Sequence, residues 1–289
     1  AFPTDIWSDL LRLNGILVKK NSKQRQVFDK FLEEIRDDLN PEISEADAVE
    51  MLAQHIITKP VFDTLFQGNE FTKDNPISRA IENILNEIYE TNIETESKTL
   101  EKFYASVKRK SRDIVSSKSR SALLNQLYER FFKNAFPKTT DKLGVVYTPI
   151  EIVDFINNSI EQILQKEFGK SLNDEKVHIL DPFAGTGTFI VRLIESGILK
   201  KETLLKKYLS ELHSNEIILL AYYIACINIE SAFHDILKPN SYTKFDGAVL
   251  TDTFQLYEQE RDMIANLLPD NSKKRTKQKK RDIRVIIGN

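Results

Sequence analysis

Apolar positions recur every three or four residues through the first part of the chain. Phe28, Phe31, Leu32, Ile35 and Leu39 fall on one helical face, and Ile77, Ile81, Ile84, Leu85 and Ile88 repeat the spacing behind Asn75 and Pro76. Leu123, Leu124, Leu127, Tyr128 and Phe131 define a further stripe. Such spacing predicts amphipathic helices. Asn75 suits a helix cap, and Pro76 suits the first turn, where its missing N–H would have found no intrahelical partner. Ser44 with Asp47 has capping-box spacing ahead of Ala48, Val49 and Leu52. No strand-like alternation interrupts this run. Residues 1–136 are therefore expected to form a helical domain whose stripes pack on one another.

After Phe136 and Pro137 the pattern changes, and short β-rich apolar runs alternate with helix-length segments. Strands are expected at 177–180, 208–212, 245–250 and 284–288, with helices at 186–196 and 217–233. The second helix is apolar nearly all round, as befits one buried against a sheet. Alternation of this kind implies βαβ units, so residues 137–289 are expected to form an α/β domain with a parallel sheet.

Composition narrows the class. The 289 residues are 41% hydrophobic and 29% charged, and no apolar run approaches the roughly 18 residues that a membrane span needs. A single cysteine, Cys226, excludes an intrachain disulfide and a thiolate zinc cluster. His55, His178, His213 and His234 have no ligand spacing and are read as structural or surface residues, so no metal is expected. The N-terminus lacks signal-peptide layout, and a reducing, cytoplasmic setting is expected. Net charge is −2, yet eight cations and one acid between 271 and 284 give that segment +7, so the rest carries −9. The segment reads as a mobile surface loop leading into the fourth strand; contact with nucleic-acid phosphates is the alternative.

Ligands in open α/β sheets bind beyond the carboxyl ends of strands, which directs attention to Asp181-Pro182-Phe183-Ala184-Gly185-Thr186-Gly187-Thr188-Phe189. Two glycines around one residue permit a tight turn and close approach to a ligand. The third glycine of a dinucleotide fingerprint is absent, since Ile190 stands there, and so is the Gly-Lys-Ser/Thr ending of a P-loop. Glu216 follows the second strand, where an acid can take ribose hydroxyls, and Asp252 follows the third, where one can accept from an adenine amino group. Upstream, Thr148-Pro149-Ile150-Glu151 has capping-box form with Pro at the first helical position, preceded by Tyr147. Each has a structural alternative: a plain turn, an acid in a first helical turn, a loop cap, a helix start.

Taken in order, these residues resemble the motifs of S-adenosylmethionine-dependent DNA amino-methyltransferases. GVVYTP, with Tyr147, Thr148 and Pro149, is similar to that family's leading cofactor motif, and LDPFAGTGTF, including Ala184, Thr186 and Thr188, to its glycine-rich motif. SNEI with Glu216 resembles its ribose-binding acid, LTDTF with Asp252 and Phe254 its adenine-binding loop, and RVIIGN the start of its Asn-Pro-Pro-Tyr catalytic motif. The leading YTP element is that of the gamma group of adenine-N6 enzymes. MLAQHIITKPVFDTLF and NPIS resemble the helical region between helicase and methyltransferase in large single-chain, ATP-dependent, Type ISP-like restriction–modification proteins.

The resemblance implies a Rossmann-like class I methyltransferase sheet, truncated at its catalytic motif, behind a helical coupler. It implies S-adenosylmethionine as cofactor, double-stranded DNA as substrate, and an upstream helicase and downstream target-recognition domain in the same parent. Asn289 would be the catalytic residue. With the prolines and aromatic of its motif lacking, the chain alone is expected not to methylate DNA. Two other readings remain open: a non-catalytic helical coupler that binds DNA or a partner, and a protein-glutamine methyltransferase, against which the YTP motif and long helical part argue.

Overall fold

The computed structural model describes residues 22–65, 74–89, 148–256 and 268–289, with scattered residues between 104 and 128. The chain divides into two compact units, residues 1–115 with 259–272 and residues 116–258 with 273–289. The boundary expected near Phe136 lies outside the described residues.

In the first unit, helices α1 (Lys23–Asp38), α2 (Glu45–Leu65) and α3 (Pro76–Tyr89) follow the apolar stripes. Phe28, Phe31, Leu32 and Ile35 of α1 are buried, α1 packs on α2 and α3, and Ile77, Ile81, Ile84, Leu85 and Ile88 form the buried face of α3. The caps form as their residues dictate. Ser22 Oγ accepts from Arg25 N at 3.1 Å, and Asn75 Oδ1 accepts from Ile77 N at 3.0 Å and Ser78 N at 3.1 Å. Ser44 N donates to Asp47 Oδ2 at 2.9 Å while Asp47 N returns a bond to Ser44 Oγ at 3.2 Å.

The second unit holds α4 (Ile150–Phe168), β1 (His178–Asp181), α5 (Thr188–Glu195), α6 (Lys201–Lys206), β2 (Leu212–Glu216), α7 (Leu219–Leu237), β3 (Ala248–Leu250) and β4 (Ile283–Ile286). Helix α8 (Pro269–Lys279) precedes β4, and its residues divide between the units after Ser272. The four strands form a parallel sheet in the order β3-β2-β1-β4. Ile179 pairs with Leu212 on one side of β1, and Leu180 with Ile286 on the other. Helix α7, buried from Leu219 through Phe233, packs on β2, β3 and α5, and α5 packs on α4.

Three expectations are corrected. Residues 207–211 form one turn of π-helix and the strand begins at Leu212, so Glu216 ends the second strand instead of following it. The i, i+4 spacing explains this: it brings Lys207 Nζ within 2.6 Å of Glu211 Oε2, both buried, which an extended strand would prevent. The basic segment is largely helix α8, whose buried positions are Asn271 and Gln278, so no apolar stripe advertised it. At the start of α4 the capping box does not form. Pro149 is itself the cap, with φ −55° and ψ 140°, which leaves Thr148 one residue too early to cap.

Candidate functional site

Chain connections run outward from β1 through β2 to β3 and then return to β4 on the other side of β1. The reversal at β1 is where open parallel sheets bind ligands, at the carboxyl ends of the strands. Four of the expected residues meet there. Asp181 ends β1, Glu216 ends β2, and Asp252 with Phe254 follows β3; the loop 182–187 springs from β1.

The loop is held at nearly every residue. Phe183 N donates to Asp181 Oδ1 at 3.2 Å, Ala184 N to Asn215 O at 2.9 Å, and Gly185 N to Glu216 Oε2 at 2.7 Å. Thr253 Oγ1 donates to Pro182 O at 2.6 Å and accepts from Asn215 Nδ2 at 3.2 Å. Asn228 Nδ2 donates to Thr186 O at 3.0 Å, and Asn157 Nδ2 reaches Phe189 O at 3.2 Å. The Thr186 and Thr188 hydroxyls lie 3.3 Å apart. Asn157, Asn215, Asn228 and Thr253 were not expected here; Asn215 lies inside the SNEI stretch and Thr253 inside LTDTF, whereas nothing in the sequence pattern marks Asn157 and Asn228.

The two glycines serve different ends. Both have positive φ, +54° at Gly185 and +81° at Gly187. A methyl group on Gly187 would meet Ala225 Cα at 3.1 Å and Ala225 O at 3.2 Å, so this glycine lets the loop lie against α7. A methyl group on Gly185 would meet none of the described atoms within 4 Å, which leaves that side open.

Two carboxyls are buried together. Burial, opposed by Phe183 N–H and reinforced by the charge of Glu216, pushes Asp181 up to about 7. Burial likewise pushes Glu216 up to about 7, against the N–H groups of Ile218, Gly185 and Ile217. Both Glu216 oxygens are engaged, Oε1 by Ile218 N at 2.7 Å and Oε2 by Gly185 N. Asp181 Oδ2, in a residue 0% exposed, has no hydrogen-bond partner among the described residues. Burial, then the charge of Glu216, also raises the Tyr128 hydroxyl, which places this stripe residue in the field of the acid.

At the rim, Phe183 and Phe254 are exposed with ring centroids 5.4 Å apart, and Asp252 Oδ1 accepts from Phe254 N at 2.9 Å, a local turn that orients the ring. Asn289 follows β4. Its Nδ2 donates to Thr148 Oγ1 at 3.1 Å, while a methyl group on neighbouring Gly288 would lie 3.4 Å from Asp181 Oδ1. The structure thus joins the first and last expected motifs through Thr148 and Asn289. Tyr147 lies outside the described residues, and Pro149 is exposed as the cap of α4. Among the described residues, no group of three or more His, Cys, Asp or Glu is arranged to hold a metal, and no helix is long and apolar enough to cross a membrane.

Residues 119–288 match the family described as N-6 DNA Methylase. The chain belongs to that family. Residues 6–119 match the family described as Type ISP restriction-modification enzyme, coupler domain, so the methylase region follows a coupler. Among solved structures, a nuclease-deletion mutant of the Type ISP enzyme LlaGI in complex with a DNA substrate mimic is 39% identical, with a TM-score of 0.88 over 98% of this chain. The ATP-dependent Type ISP enzyme LlaBIII bound to DNA is 41% identical, with a TM-score of 0.89 over 98%. A DrdV–DNA complex is 34% identical, with a TM-score of 0.86 over 98%. This chain spans 23%, 19% and 27% of those three chains, respectively. A search of curated proteins returned no match. Membership of the N-6 methylase family entails use of a methyl donor.

Proposed function

We propose that the carboxyl edge of this sheet binds S-adenosylmethionine and that Asn289 addresses the N6 amino group of adenine in double-stranded DNA. The observation that carries the reading is a cradle with unmet hydrogen-bonding capacity: Asp181 Oδ2 is buried with no hydrogen-bond partner among the described residues, at the same strand ends as Gly185, where a side chain would meet none of the described atoms within 4 Å. A buried acceptor left unpaired is costly unless a ligand meets it. S-adenosylmethionine supplies a methyl group on a sulfonium, and its ammonium and ribose hydroxyls are donors that suit two carboxylates.

The chain's own groups have distinct tasks in this reading. Each Glu216 oxygen already accepts a backbone N–H, which fixes the carboxylate while lone pairs remain for ribose hydroxyls. Asp181 offers Oδ2 to a cationic donor. The Phe183 and Phe254 rings offer faces for an adenine, with Asp252 at the same loop, while Gly185, Ala184, Thr186, Gly187 and Thr188 shape the turn. Because Thr148 takes the Asn289 Nδ2 donor, Oδ1 remains as the acceptor for an amino hydrogen of the target base, and accepting that hydrogen makes the nitrogen more nucleophilic as charge develops. A base in a duplex must be flipped out to reach this position. The parent would carry a helicase upstream and a target-recognition domain downstream, with residues 1–136 as coupler and 137–289 as the start of the methyltransferase domain.

Titration calorimetry with S-adenosylmethionine tests the site. Glu216→Gln keeps the size of the side chain but turns one acceptor oxygen into a donor, and the expected loss is about 10- to 100-fold in affinity, as for a charge-assisted pair. Equal affinity in the two proteins would overturn the assignment.

A further inference from the structure

We propose that Thr253 is a positioning residue of the cofactor site: its hydroxyl, held by Asn215, sets Phe183 and Phe254 as one shelf on which the adenine of S-adenosylmethionine lies. The inference rests on the proposed function and deepens it. The two rings are 49% and 71% exposed, so burial does not hold them where they stand. Each is tied instead to its own strand end by a local bond. Phe183 N donates to Asp181 Oδ1 at 3.2 Å at the end of β1, and Phe254 N donates to Asp252 Oδ1 at 2.9 Å after β3.

Those strand ends are not neighbours, because β2 lies between β1 and β3. Strands two apart are separated by about 9.5 Å, whereas the ring centroids are 5.4 Å apart. The gap is closed by the two loops leaning over the end of β2, and Thr253 joins them there. Its Oγ1 donates to Pro182 O at 2.6 Å. Each partner in that bond directly precedes one of the rings, so the bond sets how far apart the rings stand.

A hydroxyl has one proton and two lone pairs. Asn215 Nδ2 donates to Thr253 Oγ1 at 3.2 Å, which occupies a lone pair and leaves the proton for the proline carbonyl. Asn215 O meanwhile accepts from Ala184 N at 2.9 Å, so this residue steadies the glycine loop on both sides of Phe183. Asn215 is 0% exposed, and its Oδ1 has no hydrogen-bond partner among the described residues. The amide is thus kept for its donor, although a buried acceptor left unpaired costs stability. At 5.4 Å and a tilt of 38° the rings touch each other as an aromatic pair. A purine sandwiched between them would need about 7 Å, two van der Waals contacts, so it lies across the pair and depends on their mutual angle.

Two measurements on the 289-residue chain test this. Titration calorimetry with S-adenosylmethionine reads affinity, and an NMR cross-relaxation contact between the Phe183 and Phe254 rings, without ligand, reads the positioning itself. Thr253→Val keeps the shape and loses the hydroxyl, and it is expected to abolish the ring contact and weaken binding about 10-fold. Thr253→Ser is expected to keep the contact and to bind within about 3-fold of the unaltered chain. Should the valine variant not fold, Thr253→Ala gives the same reading. A double-mutant cycle separates positioning from mere support of the fold. Phe254→Ala is expected to weaken binding about 10-fold in the unaltered chain but only about 2-fold in Thr253→Val, where the ring is already displaced. Losses that multiply to about 100-fold, a serine variant no better than valine, or a ring contact that survives in Thr253→Val overturns the proposal. If the unaltered chain binds no S-adenosylmethionine, the cofactor reading fails by itself, and the ring contact alone decides whether Thr253 sets the rings.

Discussion

Two clusters of buried ionisable groups lie in the same unit, and they are built on opposite principles. Before β2, Lys207 is 1% exposed and its ammonium reaches Glu211 at 2.6 Å, Asp174 O at 2.6 Å and Val177 O at 3.0 Å. Glu211 Oε1 also accepts from Lys176 N at 2.9 Å, a residue with φ +66°. Burial draws the Lys207 ammonium down and would draw Glu211 up, yet Lys207 and the Lys176 N–H outweigh it, and Glu211 stays below the usual carboxylate range. At the carboxyl edge, by contrast, two like groups, Asp181 and Glu216, are buried together, and Asp181 Oδ2 has no hydrogen-bond partner among the described residues. The first cluster is matched by opposite charge, the Lys207 ammonium against Glu211 Oε2, and holds the fold. The second is matched only in part, and that deficit is what makes it a place for a ligand.

The largest expected effect comes from breaking the matched cluster. Lys207→Met leaves Glu211 buried without its counter-charge and removes a donor from two carbonyls, so a destabilisation of about 3 to 5 kcal/mol is expected. Urea unfolding measures it. Adding Glu211→Leu should recover much of the loss, because a buried pair exchanged for apolar groups is far less costly than a buried orphan charge. If both single and double variants unfold at the same urea concentration as the unaltered chain, Lys207 and Glu211 do not anchor the strand.

The unmatched cluster should respond in the other direction. A carboxyl whose folded value stands near 7 keeps a proton that the unfolded chain gives up near 4, so the folded state binds more protons between those values. Stability therefore falls as pH rises from about 4 to 7 and stays lowered above it. Asp181→Asn removes this term, and a gain on the order of 2 to 3 kcal/mol at pH 8, vanishing near pH 4, is expected. The same substitution should weaken S-adenosylmethionine binding. A variant equally stabilised at both pH values, or one less stable at pH 8, would show that Asp181 is not held protonated by its surroundings.

The contrast also explains what could be read from the sequence. The helices of the first unit were legible because their stripes and caps satisfy themselves locally: Ser44 with Asp47, and Asn75 with Ile77 and Ser78. Strand β2 was legible only as a displaced shadow. Its residues Leu212, His213, Ser214, Asn215 and Glu216 are all buried, but four are polar, and His213, Asn215 and Glu216 bond tertiary partners that no periodicity reveals. His213 is an example: burial lowers it to about 3, and its Nε2 lies 3.0 Å from Nδ1 of His178 across the sheet. The glycine loop, Glu216, Asp252 and Asn289 were visible as residue types in order. Among their supports, Asn157 and Asn228 were not, because an amide that bonds a distant carbonyl leaves no mark in the sequence around it.

The smallest effect expected is the difference between two substitutions that look alike. Gly185→Ala and Gly187→Ala both place a side chain at positive φ, which costs about 1 to 2 kcal/mol. At Gly187 the methyl group also presses on the Ala225 backbone, which cannot rotate away, so its loss of stability should exceed that of Gly185→Ala by about 1 kcal/mol. Affinity should rank them in reverse. The Gly185 methyl group projects into space that is open, so at equal temperature it should weaken S-adenosylmethionine binding more than its small cost in stability would suggest, whereas Gly187→Ala should act mainly through the fold. Thermal unfolding and calorimetry on both variants give two orderings. Opposed orderings separate the glycine that the ligand approaches from the one that α7 requires; the same ordering in both measurements would mean that the open side of Gly185 does not face the cofactor.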